Sequence, residues 1–375
     1  MTQALINPAL MTWSRRRAGV SAAELAESIT VKEDKVRAWE AGEAKPTFRQ
    51  AQQWADRLHI PFGFLFLNEP PHEVLPLPDL RTVGSAKPQP ASLDLLDTVR
   101  DVLRKQEWYL EYLAEQERAP LSFVGKFSTA APVVQVAADI RAVLGVRDVP
   151  ANGDQYMRAL IAGADAAGIL VMRSGTVGSN THRKLDVGEF RGFAISDKFA
   201  PVVFINIADA PAARLFTLLH ELAHIWIGSS GISDAALVAH RQEEAYCNAV
   251  AGEFLVPAAK FKLLWRETDD CYARLPELAA AFHVSRLVVA RRACDLGLLS
   301  REDYAEFYVA ELNAYRAQKS NGGSFYRTAD SKNSKRFSRA VLSEALSGRL
   351  LLREAGRLLG IQPAKVRTYA EKIDE

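Results

Sequence analysis

PAARLFTLLHELAHIWIG, residues 211–228, decides how this sequence is read. Pro211 suits the first turn of a helix, where its missing N–H would have had no partner, and Gly228 suits the left-handed residue that ends one. The spacing therefore predicts a helix from Pro211 through Ile227. Within it His220 and His224 stand four apart, which puts two imidazoles on one face, one turn apart, where both can ligate a single Zn²⁺. Glu221, next to the first histidine, can reach a water on that metal.

A catalytic zinc commonly takes three protein ligands and keeps one position open, so a third ligand is expected nearby. RQEEAYCNAVAGEFLVP, residues 241–257, has apolar and small residues at helical spacing. Glu244 and Asn248 lie four apart there, on one face. Glu244 as ligand would leave Asn248 to orient a histidine or the glutamate by hydrogen bond, and Glu243 is the rival, one position around the helix. His240, four before Glu244, and His182, in the loop GTVGSNTHRK, read better as exposed polar residues than as oxyanion contacts. Cys247 reads as a small buried residue.

Upstream, GILVMR (168–173), FRGFAI (190–195) and PVVFINI (201–207) are short, rich in β-branched or aromatic residues and bounded by breakers, so they predict a small sheet ahead of the histidine helix. Helices are expected over 92–118, 133–144 and 154–167, and more of them from the histidine helix to about residue 316. Pro70, Pro71, Pro76, Pro78, Pro88 and Pro90 make residues 69–91 an extended connector, because proline fixes φ and lacks a donor. Residues 321–375 follow Asn321-Gly322-Gly323 as a basic helical tail. From Arg316 to Glu375 there are 13 basic and 6 acidic residues.

The whole chain is nearly balanced, with 47 basic and 45 acidic residues among 375, so any nucleic-acid binding must be local. Cys247, Cys271 and Cys294 form no C-x-x-C pair and favour a reducing compartment. No stretch approaches the roughly 18 uninterrupted apolar residues of a membrane span, and no signal peptide opens the chain. A cytoplasmic protein with no membrane partner is expected.

HELAH, a loop of about twenty residues, and then EEAYCNAVAGEFLVP resemble the ImmA/IrrE family of metallopeptidases. The resemblance covers roughly Ser92 to Leu312 and implies an α/β zincin-like body, over residues 92–315, that hydrolyses peptide bonds. It carries the ligand role onto Glu244 beside His220 and His224, and the orienting role onto Asn248. It implies zinc, with manganese the alternative, as Lewis acid, and Glu221 as the base that takes a proton from water and passes it to the leaving amine. It also implies that the strand over 190–195 is an edge that an extended substrate would join.

Residues 1–68 carry a second pattern. VSAAELAESI and VKEDKVRAWE give two short helices around a tight turn, with Leu25, Ala26, Ile29, Val31, Val36 and Trp39 as the apolar set. With the following FRQAQQWADRLHIPFGFLFL they resemble the phage-repressor-like XRE helix-turn-helix family, which implies an all-α head that binds operator DNA. Lys32, Lys35 and Arg37 would lie on the helix entering the groove, with Arg15, Arg16, Arg17 and Lys45 toward phosphates. The head read instead as a docking or dimerisation module would make a homodimer. The fusion implies control of transcription by cleavage of a repressor or another protein, in a stress-response, mobile-element or toxin–antitoxin setting. The alternative is an antitoxin-like repressor whose metal domain binds a toxin encoded nearby without turnover.

Overall fold

The computed structural model describes residues 3–71, 75–79, 91–146, 153–233, 242–265, 272–317 and 332–373. Residues up to Pro76 form one unit, and Leu77–Asp79 group with a second that takes in the chain from Asp97 on. Most of the expected connector, together with His240 and Cys271, lies outside the described residues.

The first unit is helical: α1 (Pro8–Arg17), α2 (Ala22–Ser28), α3 (Glu33–Ala41) and α4 (Phe48–Arg57), then a 3-10 stretch over Phe62–Phe66. Local chemistry sets these limits. Ser21 and Glu24 form a capping box at α2, Thr47 and Gln50 another at α4, and Gly42 ends α3 in the left-handed conformation. Leu25, Val36, Trp39, Trp54 and Leu58 fill the core, with the two indoles edge to face at 6.1 Å. Arg16, Lys32, Lys35, Arg37 and Lys45 are exposed. Arg15, expected among the phosphate contacts, is instead spent inside the unit. Its guanidinium donates to both carboxylate oxygens of Glu40, at 2.7 and 2.9 Å, and to the Val20 carbonyl at 3.0 Å. Arg37 is paired with Glu33, and Arg17 lies over the Trp13 ring at 5.4 Å.

The second unit is mixed. After α5 (Leu93–Glu115), which belongs to this unit from Asp97 on, α6 (Val133–Leu144) and α7 (Gly153–Ala167) come β1 (Leu170–Ser174), β2 (Gly192–Ile195) and β3 (Val202–Asn206). The helix α8 (Pro211–Ile227) starts and stops where its proline and glycine require, and β4 (Gly231–Ser233) follows at once. Beyond it lie α9 (Gln242–Leu255), α10 (Ala258–Leu264), α11 (Leu275–Phe282), α12 (Arg286–Asp295) and α13 (Arg301–Ala317). The strand order is β1-β3-β2-β4, with β1 and β3 parallel and β2 antiparallel to both its neighbours.

That order corrects one expectation. The strand over 190–195 is not an edge, because Gly192, Phe193 and Ala194 pair with Ser233, Ile232 and Gly231 of β4 on one side and with β3 on the other. Every residue of β2 and β3 is buried, as a sheet covered by helices demands. The α8 helix packs on β2 and β3 and also on α9. Phe123 stacks on Trp226 at 4.6 Å, and the Trp226 indole donates to Asp139 at 2.8 Å, fixing the end of α8.

The tail folds as α14 (Lys335–Leu346), α15 (Leu352–Leu359) and α16 (Val366–Lys372), with a 3-10 turn before the last. It packs on the body. Phe337 is fully buried against Trp108 and Tyr109, Arg336 donates its backbone N–H to Asp165 at 2.9 Å, and its side chain donates to the Tyr109 hydroxyl at 3.0 Å. Among the described residues no helix is long and apolar enough to cross a membrane.

Candidate metal centre

Helical spacing puts His220 and His224 on the face of α8 that meets α9, and the register of α9 turns Glu244 toward them. The Nε2 atoms of the histidines are 3.1 Å apart. Glu244 places Oε2 at 3.2 Å from His220 Nε2 and Oε1 at 3.1 Å from His224 Nε2. Two donors bound tetrahedrally at about 2.0–2.1 Å from zinc lie roughly 3.3 Å apart, so the three side chains fit one such ion with little movement. Together they could hold a metal. Glu243 is exposed and accepts from the Ser229 hydroxyl at 3.2 Å, outside this group.

Asn248 sits one turn beyond Glu244, and its Oδ1 is 2.9 Å from His220 Nδ1. The amide oxygen can only accept, so Nδ1 donates to it, and Nε2 is the ring atom that faces Glu244 and exchanges a proton for a metal. Asn248→Ala should therefore lower metal affinity about 10–100-fold, read by competition with a chelating dye, with the helix content of the protein unchanged.

All four groups are cut off from solvent: His220, Glu221 and His224 are 0% exposed and Glu244 is 2%. Burial opposes the imidazolium of His220, but hydrogen bonding and charge from Glu244 outweigh it and raise its pKa to about 9. Burial pulls His224 down, and the charge of His220 adds to that against the lift from Glu244. Burial alone would push the Glu244 carboxyl up, yet its two histidine partners hold it well below the carboxylate range. Cys247 is pushed well up by burial and then by the charges of Glu244 and Glu221, which suits a core thiol and not a nucleophile.

Glu221 is packed against the sheet through a residue that composition and motif reading passed over. A Cβ on Gly192 would stand 2.8 Å from Glu221 Oε1, 2.8 Å from Thr217 Cγ2 and 2.9 Å from the Phe204 carbonyl oxygen. Only a residue without a side chain lets β2 approach α8 so closely. The signal was there to read, since a glycine inside a strand pattern often marks close approach. Gly192→Ala should cost about 1–3 kcal/mol in urea denaturation, because the Phe204 oxygen belongs to the backbone and cannot swing away. An unchanged midpoint would contradict this packing. His182 is exposed in a loop tied down by its neighbours, with Arg183 bonded to Asp97 at 2.7 Å and Ser179 to the Gly360 carbonyl at 3.0 Å.

Two buried imidazoles and a carboxylate around one point, with a second carboxylate on the next residue of the same helix, define a candidate mononuclear metal site of the kind metallopeptidases use. Residues 164–293 match the peptidase M78 family model, described as the IrrE N-terminal-like domain, which supports the ImmA/IrrE resemblance over β1 to α12. Residues 333–372 match a model described as a domain of unknown function. No curated protein and no solved structure matches the chain.

Proposed function

We propose that the chain is a zinc-dependent endopeptidase carrying a DNA-binding head, and that it regulates transcription by cleaving a repressor or partner protein. The convergence of His220, His224 and Glu244 beside Glu221, inside the stretch that matches a peptidase family, carries this reading. Zinc held by the three side chains would supply Lewis-acid polarisation of the scissile carbonyl and activation of water. The protein's own part is then defined. Asn248 holds His220 in the ligating tautomer, Glu221 accepts the proton of the attacking water and returns it to the leaving amine, and Gly192 lets Glu221 stand against the sheet.

What favours a DNA-binding head is the tight α2–α3 pair with exposed Lys32, Lys35, Arg37 and Lys45 around it. Deleting residues 1–68 should abolish binding to the chain's own upstream region. A second reading, recognition of a toxin-like partner without turnover, is favoured by the complete burial of the centre. To separate the two, the zinc-loaded protein is incubated with the product of the adjacent gene and with candidate repressors, and fragments are sought by mass spectrometry. Fragments that require the metal support the peptidase. Stable complexes without fragments would leave the binding reading in its place.

A further inference from the structure

The sheet has two edges, and the described residues cover both. At β1 the Arg173 N–H donates to the Lys332 carbonyl at 2.9 Å. At β4 the Ile232 N–H donates to the Pro78 carbonyl at 3.0 Å, and Asp79 bridges Ile232 in parallel. Leu77 is 8% exposed and groups with the body. A segment that composition marks as connector thus supplies an isolated β-bridge at that edge.

Covering an edge can simply prevent aggregation. The β4 edge differs from the β1 edge in what stands beside it. Ser233 pairs with Gly192, and paired residues share a face of the sheet. The Cβ direction of Gly192 runs into Glu221 and Thr217, so the Ser233 side chain lies on the face turned toward α8 and the candidate centre. Its hydroxyl is fully buried and has no hydrogen-bond partner among the described residues. An unsatisfied buried hydroxyl is costly in a resting protein and useful where a polar group is due to arrive.

The occupant is also a poor strand. Pro76 and Pro78 have no N–H to give, so the segment cannot extend into a full ladder. Among the described residues the Pro78 carbonyl accepts one backbone hydrogen bond from β4, Asp79 bridges Ile232 and Leu77 is buried.

We propose that Leu77–Asp79 is an intramolecular pseudosubstrate. It occupies the backbone position at β4 that an extended peptide takes, and Leu77 fills the place of an apolar side chain of that peptide. The substrate class is accordingly an extended segment with a leucine-like residue, admitted only when the strap moves off. Its meaning for catalysis rests on the peptidase reading, while the occupancy itself does not.

The test uses the full chain with Leu77→Asp and, as the milder change, Leu77→Ala. Amide hydrogen exchange should quicken about tenfold at Ile232 while Val203 and Phe204, in the middle of the sheet, keep their protection. A fluorescent peptide with the sequence of residues 75–79 should bind both variants about tenfold more tightly than the wild type. Equal protection of Ile232 in all three proteins, or equal peptide binding, would overturn the proposal. General loss of protection in Leu77→Asp leaves the decision to Leu77→Ala. Variants that gain peptide binding and cleave nothing support the strap and count against the peptidase alone.

Discussion

Glu221→Gln should lower the rate of peptide hydrolysis by about 10²–10⁴-fold and leave the metal content unchanged. Glutamine has the size of glutamate, so it keeps the niche whose wall is Gly192, 2.8 Å from Glu221 Oε1 to a notional Cβ. It cannot accept a proton from water. Because His220, His224 and Glu244 close around one another without Glu221, the metal should stay. Initial rates on a cleaved protein and elemental analysis of the same sample check both halves. A variant that hydrolyses at the original rate would show that the base lies elsewhere, and one that loses its metal would make Glu221 a ligand.

The same residue shows what motif reading can supply. His220, Glu221 and His224 are fixed by the sequence of one helix, and that helix has a proline and a glycine at its ends, so its limits and its reactive face were both legible. Glu244 was harder. On α9 the small and apolar residues run around much of the helix, and the choice between adjacent glutamates depends on how α9 leans on α8. The packing turns Glu244 inward at 2% exposure and leaves Glu243 outside. The family resemblance pointed to the same residue because it carries a spacing, E-x-x-x-N, that the composition of the helix does not express.

The sheet was legible strand by strand but not in its order. β1, β2 and β3 are β-branched or aromatic runs between breakers, whereas β4 has three residues, too few for any period. Without β4 the strand over 190–195 reads as an edge, and with it the edge moves one strand out. Long-range partners were equally out of reach. Arg15, Arg16 and Arg17 look alike in sequence, yet the turn of α1 sends Arg15 to Glu40, 25 positions away, and leaves Arg16 in solvent. Proline content marked residues 69–91 as connector and could not say that Leu77 would be buried.

Metal affinity should rise about tenfold per pH unit as the pH climbs toward 9, a change of roughly 10²–10³ overall from pH 6.5. In the metal-free protein Glu244 keeps a proton on His220, whose pKa stands at about 9 against an ordinary 6.5. A metal ion needs the neutral ring, so each ion bound below that pH expels one proton. The stability of the metal-free protein moves in the opposite direction. A raised histidine pKa contributes stability that is complete below 6.5 and is lost as the pH passes through about 9, on the order of 3 kcal/mol for this buried pair. Glu244, held low, contributes above its ordinary 4.5 and loses that contribution only as the pH falls through its folded value. His224, lowered by burial, works against the folded state as the pH drops below 6.5. The metal-free protein is thus helped most near pH 6 and should unfold at lower urea at pH 9, while the zinc form, with no proton left to lose from His220, should show no such decline. Urea titrations with and without zinc at the two pH values, and zinc competition across the interval, measure both trends. An affinity that ignores pH, or a metal-free protein equally stable at pH 6 and 9, would mean that the His220–Glu244 pair does not hold its proton as the geometry requires.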